Sequence, residues 1–138
     1  DADFAMLEQV KDAVSQEDYM RATYVIGENN RLATTCAALQ KDDYETVGEM
    51  VFATHQGLSK LYEVSTPEID FLNELAKGAG VTGSRIMGGG FGGCTINIVK
   101  DELYDAFIDQ VFSQYEAKFG VAPAVYDVKI SNGARKLN

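Results

Sequence analysis

The residues that most constrain this chain are 88–93, which are all glycine except Phe91 and which we call the glycine loop. Ordering a glycine costs more backbone entropy than ordering any other residue, so a folded chain keeps such a run for a reason. Either the backbone needs positive φ angles there, or another group approaches it closely. Successive N–H groups without side chains can also form a concave site for a phosphate. A tight turn that only joins two strands is the alternative.

Residues 94–99 decide whether the glycine loop binds a dinucleotide. Gly88, Gly90 and Gly93 match the GxGxxG fingerprint, which requires a strand before it and a helix after it. The sequence CTINIV at 94–99 alternates with period two and is rich in β-branched residues, which predicts a strand. Without a helix N-terminus there to hold a pyrophosphate, we reject the dinucleotide site. The loop is predicted to join a strand at about 84–87 to a second strand at 95–99.

Three segments of the chain resemble motifs of one enzyme family. Residues 81–94 read VTGSRIMGGGFGGC, residues 24–31 read YVIGENNR, and residues 55–70 contain HQGLS followed by YEVSTPEID. They resemble, respectively, the third motif, the HVxxExxR helix and the SHxSL…YEVSxPELD segment of the galactokinases, within the GHMP kinase family. Their order and spacing along the chain also match those of the family. The chain departs from that pattern at Met87, where Thr is frequent, and at Gly57, where Ser or Asn is more frequent.

The resemblance implies that residues 1–138 form a single domain, the C-terminal domain of a GHMP kinase, whose N-terminal catalytic domain lies outside this chain. It implies that the whole enzyme transfers the γ-phosphoryl group of MgATP to galactose and produces galactose 1-phosphate. The partners of the domain would then be its own N-terminal domain, galactose and ATP. ATP and Mg²⁺ would be the cofactors of the intact enzyme, and a kinase of galactose metabolism is expected in the cytoplasm.

The resemblance also implies one site on this chain, at the nucleotide and substrate cleft. Phe91 is expected to pack there rather than to touch a ligand. The family's catalytic Asp, phosphate loop and magnesium ligands match no stretch of the sequence, so we expect no catalytic residue and no metal site. We also expect no bound cofactor and no activity in the chain alone. The third motif carries over onto Gly88, Gly89, Gly90, Phe91, Gly92 and Gly93.

Charge and cysteine content argue against several classes of partner. A net charge of -9 argues against nucleic acid and against anionic membranes, since both need basic patches. No apolar run approaches the length of a membrane span. Cys36 and Cys94, with no secretory signal, are predicted to be reduced thiols. The chain begins inside an amphipathic pattern, so we expect a piece of a longer protein whose uncovered apolar surface promotes self-association.

Periodicity predicts helices first and strands later. Apolar residues at helical spacing indicate helices over about 3–14, 17–39, 43–61, 69–76 and 101–119. Asp42 is the expected N-cap of the third helix. The fourth helix begins either at a capping box of Ser65 with Glu68, or at Thr66 followed by Pro67. Residues 124–130 alternate and predict a third strand with one buried face.

This order of elements predicts an α+β fold. The expected form is a ferredoxin-like antiparallel sheet with additional N-terminal helices that cover one of its faces. Only three strands are visible in the sequence. A fourth would come from residues that precede this chain or from a segment that periodicity assigns to a helix.

Few other residues suggest chemistry. His55 is the only histidine, and it lies among apolar helical positions, so we expect a structural role and no zinc site. Glu28 and Arg31 are spaced to form a surface ion pair on one helix. Arg85, beside the glycine loop, could reach a phosphate or an acidic group of another domain. An ion pair within the domain is the alternative for Arg85.

Two other functions stay open at this stage. One is a related sugar kinase, or a galactose sensor without catalysis, built on the same domain. The other is a free-standing ferredoxin-like regulatory domain that binds a small ligand through its glycine hairpin. The sequence encoded upstream of residue 1 would discriminate between them.

Overall fold

A computed structural model describes residues 2–133 and residue 136. A 3-10 turn, Lys11–Ala13, joins the first two helices. The predicted α+β class is confirmed, whereas the predicted domain, residues 1–138, extends beyond the described residues at both ends. The elements in this part of the chain are α1 Phe4–Gln9, α2 Gln16–Leu39, α3 Tyr44–Lys60, α4 Pro67–Gly78, β1 Gly83–Met87, β2 Cys94–Ile98 and α5 Asp101–Phe119.

Side-chain caps fix the starts of the helices. The α3 cap is Asp43, whose carboxylate accepts from the Thr46 amide, so the prediction of Asp42 was wrong. Asp42 has a φ of 54° and lies in the turn after α2, since aspartate tolerates the left-handed region. This turn moves the N-cap of α3 to the next residue. Thr66 caps α4 and Pro67 is its first residue, which selects the second of the two predicted starts.

The N-terminal helices form a layer beside β1. Helix α2 runs antiparallel to α3, because Tyr24 contacts Gly57 while Glu28 contacts Thr54. Helix α3 packs against β1 with its backbone touching the strand. A Cβ atom on Gly48 would lie 1.8 Å from the Thr82 carbonyl oxygen, so only glycine fits this helix–strand contact.

Helices α4 and α5 enclose the main apolar core. Helix α4 packs against both strands, and α5 packs on α4. The predicted apolar stripe of α5 is buried only in part, because Tyr104 and Phe112 remain exposed. As predicted, α5 ends at Gly120, which takes a left-handed φ of 72°. The core residues are Leu75, Ala76, Val81, Phe107 and Val111.

The two strands pair antiparallel, with Gly83 opposite Ile98 and Met87 opposite Cys94. Two further backbone groups of β1 are bonded by helix side chains. The Ser84 carbonyl accepts from Asn73 Nδ2 at 2.7 Å, and the Ile86 amide donates to His55 Nδ1 at 3.3 Å. Side chains of α3 and α4 therefore occupy β1 hydrogen-bonding groups that another strand would use.

The predicted strand at 124–130 was wrong, and the sheet has two strands in the part of the chain that is described. Residues 121–133 have no regular secondary structure, and the side chains of Tyr126 and Val128 are 79% and 76% exposed. Alternation assigns the apolar side chains to one face but supplies no pairing partner, and a strand gains its stability from cross-strand neighbours. The antiparallel sheet itself is as predicted.

Exchanging a glycine of α3 tests the helix–strand contact. We expect Gly48→Ala to destabilise the fold by about 2 kcal/mol or more, because the added methyl group would force the α3 backbone away from the Thr82 carbonyl. Gly78→Ala, at the end of α4 with open space around it, is the matched control and should be neutral or stabilising by up to about 1 kcal/mol. Thermal denaturation by circular dichroism measures both. Equal melting temperatures for the two variants would contradict the contact.

Candidate functional site

The glycine loop joins β1 to β2 through a left-handed backbone. Five of its six residues have positive φ, and Gly89 is the exception. This conformation is strained for residues with a Cβ atom, so the first of the two predicted reasons for the glycines is confirmed. The positive φ angles are 82° at Gly88, 90° at Gly90, 61° at Phe91, 116° at Gly92 and 91° at Gly93.

The glycine loop also meets another backbone segment, at Val64. A Cβ atom on Gly90 would lie 2.4 Å from the Val64 carbonyl oxygen and 2.6 Å from Val64 Cβ. The next residue, Phe91, donates its amide hydrogen to the same carbonyl at 2.7 Å. The second predicted reason, a close approach, is therefore met at Gly90. The partner in this approach is the segment between α3 and α4 of the same chain.

The other glycines of the loop face open space. No atom lies within 4 Å of the Cβ position on Gly88, Gly89, Gly92 or Gly93, among the residues that the structure describes. Phe91 is 78% exposed, so its side chain is not packed among the residues that the structure describes, and its packing at the cleft stays a prediction. Its backbone, and not its ring, fixes Phe91 in place. The loop therefore presents bare peptide groups and one aromatic ring at the surface.

The Val64 segment is itself held firmly. The Val64 amide donates to the Leu58 carbonyl at 3.0 Å, and Val64 is buried. Glu63 before it takes a φ of 58°, which turns the chain sharply after α3. Ser65 after it donates its hydroxyl hydrogen to Asp70 Oδ1 at 2.6 Å. The carbonyl that receives the glycine loop thus lies between two fixed residues.

Asp70 is the centre of a polar group that we call the Asp70 cluster, formed by Asp70, His55, Ser59 and Ser65. Besides Ser65, the carboxylate accepts from Ser59 Oγ at 2.9 Å and from His55 Nε2 at 3.2 Å. Because His55 Nδ1 accepts from the Ile86 amide, the ring proton lies on Nε2. Both ring nitrogens are bonded and the ring is buried, which agrees with the structural role predicted for His55.

Burial and hydrogen bonding set the charges in the Asp70 cluster. Burial lowers the pKa of His55 below 6.5, despite the opposing effect of Asp70. Burial alone would raise the pKa of Asp70. Hydrogen bonds from Ser65 and Ser59, with the nearby His55, outweigh it and hold that pKa below 3.8. At neutral pH the cluster is a neutral imidazole beside a carboxylate.

Sequence reasoning missed the Asp70 cluster. It treated Ser65 as a possible helix cap, whereas the hydroxyl bonds Asp70, five residues later. The signal was present in YEVSTPEID, where a serine before a helix start precedes an aspartate in the first helical turn. His55 joins from another helix, and such a contact leaves no local pattern.

The remaining candidates play other roles. Arg31 Nε pairs with Glu28 at 2.8 Å, and Glu28 also accepts from Thr54. This predicted surface pair is partly buried and ties α2 to α3. Arg85 donates Nε to the Ile86 carbonyl and forms no ion pair with any described residue.

Three sequence expectations concern thiols, metals and membranes. Cys36 and Cys94 are free thiols, as predicted. Among the described residues, no group of three or more His, Cys, Asp or Glu side chains could hold a metal ion. None of the helices that the structure describes has the length and apolar character needed to cross a membrane.

Adding a methyl group at two positions of the glycine loop tests its packing on Val64. We expect Gly90→Ala to accelerate amide exchange across residues 88–93 by about fivefold or more, because the loss of one hydrogen bond to a displaced backbone costs about 1 kcal/mol. Gly89→Ala adds the same methyl group into open space at an ordinary φ and should leave exchange unchanged. Hydrogen exchange read by mass spectrometry makes the comparison. The contact would be excluded by equal exchange in both variants.

Acidification tests the charges assigned to the Asp70 cluster. Since the folded-state pKa of His55 lies below 6.5, the unfolded chain binds a proton that the folded chain does not as pH falls below that value. We expect the free energy of unfolding to fall as the pH decreases below about 6.5, until the folded chain also binds this proton. Asp70, Glu74 and Lys60 are the charged groups that act on this ring.

His55→Asn is the control for this pH dependence, because the chain has no second histidine. Denaturant titrations at each pH should give a flatter profile for the variant across that window. A further loss of stability below about pH 3.8 is expected in both proteins, because the unfolded chain then protonates Asp70 while the folded chain still holds it ionised. An identical slope in the two proteins just below about pH 6.5 would refute the assignment of a neutral imidazole.

Comparison with known proteins places these features in a family. Residues 36–117 match the family model for the C-terminal domain of GHMP kinases. The chain is 39% identical over 136 residues to the galactokinase of Clostridium acetobutylicum, covering 97% of this chain and 35% of that protein. It is also 39% identical over 133 residues to the galactokinase of Canis lupus familiaris, covering 96% and 33% respectively. The chain thus spans about a third of the length of these relatives.

A solved structure agrees with the sequence comparison. The galactokinase of Lactococcus lactis, complexed with galactose, is similar with a TM-score of 0.78 and 34% sequence identity. The alignment covers 84% of this chain and 30% of that one. The resemblance seen in the three sequence motifs is confirmed. With a family match over most of its length and a closely similar fold, the chain belongs to the GHMP kinase family and corresponds to its C-terminal domain.

Proposed function

We propose that this chain is the C-terminal domain of a galactokinase, which transfers the γ-phosphoryl group of MgATP to galactose. The observation that carries the proposal is the 39% identity to galactokinases over 97% of the chain. The similarity to a galactokinase structure complexed with galactose supports the same substrate. Under this proposal the domain acts together with an N-terminal domain, and the enzyme is cytoplasmic, in keeping with the two free thiols.

The glycine loop is the part of the chain that we assign to the cleft between the two domains. Its bare peptide groups allow a phosphate or another backbone to approach closely, as open space around Gly88 and Gly92 supports. The exposed ring of Phe91 gives the loop an apolar surface to place against a partner. The proposed cleft residues are Gly88, Gly89, Gly90, Phe91, Gly92 and Gly93.

The N-terminal domain is proposed to supply the chemistry. Phosphoryl transfer depends on in-line positioning and on neutralising the charge that develops, for which kinases use Mg²⁺ and a positioned acidic residue. We assign no catalytic and no magnesium-binding residue to this chain, because no stretch of its sequence resembles the family's catalytic Asp, phosphate loop or magnesium ligands. ATP, Mg²⁺ and galactose would bind the intact enzyme.

Exposed apolar residues of α1 and α2 are proposed to cover part of the surface that meets the partner domain. Phe4, Met6, Val25 and Leu32 of α1 and α2 are between 46% and 63% exposed. Apolar side chains at this density favour association. We therefore propose that residues 1–138 self-associate when they are expressed without their partner domain.

A coupled kinase assay with galactose and MgATP tests the proposed function. We expect turnover by the full-length gene product that contains this chain and none by residues 1–138 alone. Gly90→Val in the full-length protein should lower kcat by about 100-fold, because a β-branched residue can neither take the positive φ nor fit against Val64. Gly78→Ala, in open space away from the glycine loop, should stay within about twofold of the parent protein.

Three results would overturn parts of this proposal. Turnover by residues 1–138 alone would show that the domain assignment is wrong. Binding of galactose without turnover by the full-length product would identify a sensor instead of a kinase. Near-normal kcat in Gly90→Val would reduce the glycine loop to an ordinary turn between strands.

A further inference from the structure

We propose that Asp70 is a positioning residue for the glycine loop. Asp70 does not contact the loop, but its hydrogen bonds fix two residues that hold the loop. The two residues are Val64, which the loop contacts, and Ile86, which precedes it in β1. The inference rests on the proposed function in so far as the loop serves a kinase cleft. Its structural part stands on the contacts of this chain alone.

The first connection runs through Ser65. Asp70 Oδ1 accepts the Ser65 hydroxyl hydrogen at 2.6 Å, which fixes the residue after Val64. The Val64 carbonyl then accepts the Phe91 amide hydrogen at 2.7 Å and contacts Gly90. Freeing Ser65 would let the Val64 carbonyl rotate, and the glycine loop would lose the acceptor that fixes its centre.

The second connection runs through His55. Its Nε2 donates to Asp70 Oδ1 at 3.2 Å, and its Nδ1 accepts from the Ile86 amide at 3.3 Å. Ile86 is fully buried and lies two residues before Gly88. By orienting the ring, Asp70 keeps Nδ1 directed at β1, just as a carboxylate orients a histidine that serves another group. The start of the glycine loop is thereby tied to α3.

A carboxylate suits this position for two reasons. Its two oxygens accept from three donors at once, and hydrogen bonds to a charged acceptor are stronger than neutral ones. Asp70 also lies in the first turn of α4, where the helix dipole favours negative charge. Lys60 lies 3.9 Å from Asp70 Oδ2 and is well exposed, so it adds little.

Two serines that bond the same carboxylate provide a matched test. Ser65→Ala removes the hydroxyl next to the peptide bond that carries the Val64 carbonyl. Ser59→Ala removes a hydroxyl on α3, whose neighbouring Leu58 carbonyl bonds the Val64 amide and not the carbonyl that receives the glycine loop. Ser59 lies in the last turn of α3, where helical hydrogen bonds hold its backbone. Any general loss of stability from weakening the Asp70 cluster should therefore appear in both variants. Ser65→Ala should loosen the glycine loop more than Ser59→Ala does.

The experiment compares these variants in the full-length gene product by hydrogen exchange and by steady-state kinetics. In Ser65→Ala we expect exchange at residues 88–93 to rise about tenfold and kcat to fall about tenfold, since small displacements of positioning groups are costly. Ser59→Ala should have a melting temperature similar to that of Ser65→Ala but a clearly smaller rise in exchange and fall in kcat, and Gly78→Ala, outside the Asp70 cluster, should stay within about twofold of the parent protein in both measurements. Ser65→Thr, which restores the hydroxyl, should recover at least about half of the lost kcat.

Asp70→Ala cuts both connections and should raise exchange at the loop further than Ser65→Ala does. If Asp70→Ala fails to fold, the serine pair still decides the matter. Equal exchange at residues 88–93 in Ser65→Ala and Ser59→Ala overturns the positioning role of Asp70. A parent protein that does not phosphorylate galactose overturns the proposed function instead, and the exchange comparison then decides the positioning role by itself.

Discussion

The contact between Gly90 and the Val64 carbonyl is the constraint on which the rest of the site depends. Two backbones meet there at a distance that excludes any Cβ atom, and the Phe91 amide closes the contact at 2.7 Å. The left-handed residues on either side follow from the need to bring the loop back to this carbonyl. The glycine loop is thus shaped by its own domain, and a loop fixed in advance loses less entropy when a ligand or partner binds.

This contact is stable because its acceptor is anchored to regular elements. Val64 lies between the end of α3 and the start of α4, and Asp70 joins Ser65 to His55 across that junction. The α3 backbone in turn touches β1 at Gly48 and Gly83. A loop of glycines, intrinsically the most flexible of segments, is therefore supported by two helices and a strand. Such support on rigid elements is what precise binding sites require.

Local patterns predicted the parts of the fold that local chemistry controls. The strands on both sides of the glycine loop, the start of α4 at Thr66 and the stop at Gly120 follow from β-branched alternation, helix capping and glycine conformation. The three motifs identified the family because each is a continuous stretch of sequence that can be recognised without coordinates. The need for positive φ in the glycine loop was thus accessible without coordinates.

The rest depended on contacts between distant residues. Residues 124–130 alternate correctly, yet a strand forms only where a neighbour offers a free edge. The Phe91 amide donates to the Val64 carbonyl, and nothing in the local sequence predicts that hydrogen bond. His55 and Ile86 are 31 residues apart, and nothing in their local sequence indicates their hydrogen bond.

Amide exchange of single loop residues, measured by NMR on this chain, tests the central claim most directly. The account predicts that the Phe91 amide exchanges at least about tenfold more slowly than the amides of Gly89 and Gly92, because only Phe91 donates to Val64. Equal exchange at the three amides would show that the glycine loop is not held by its own domain.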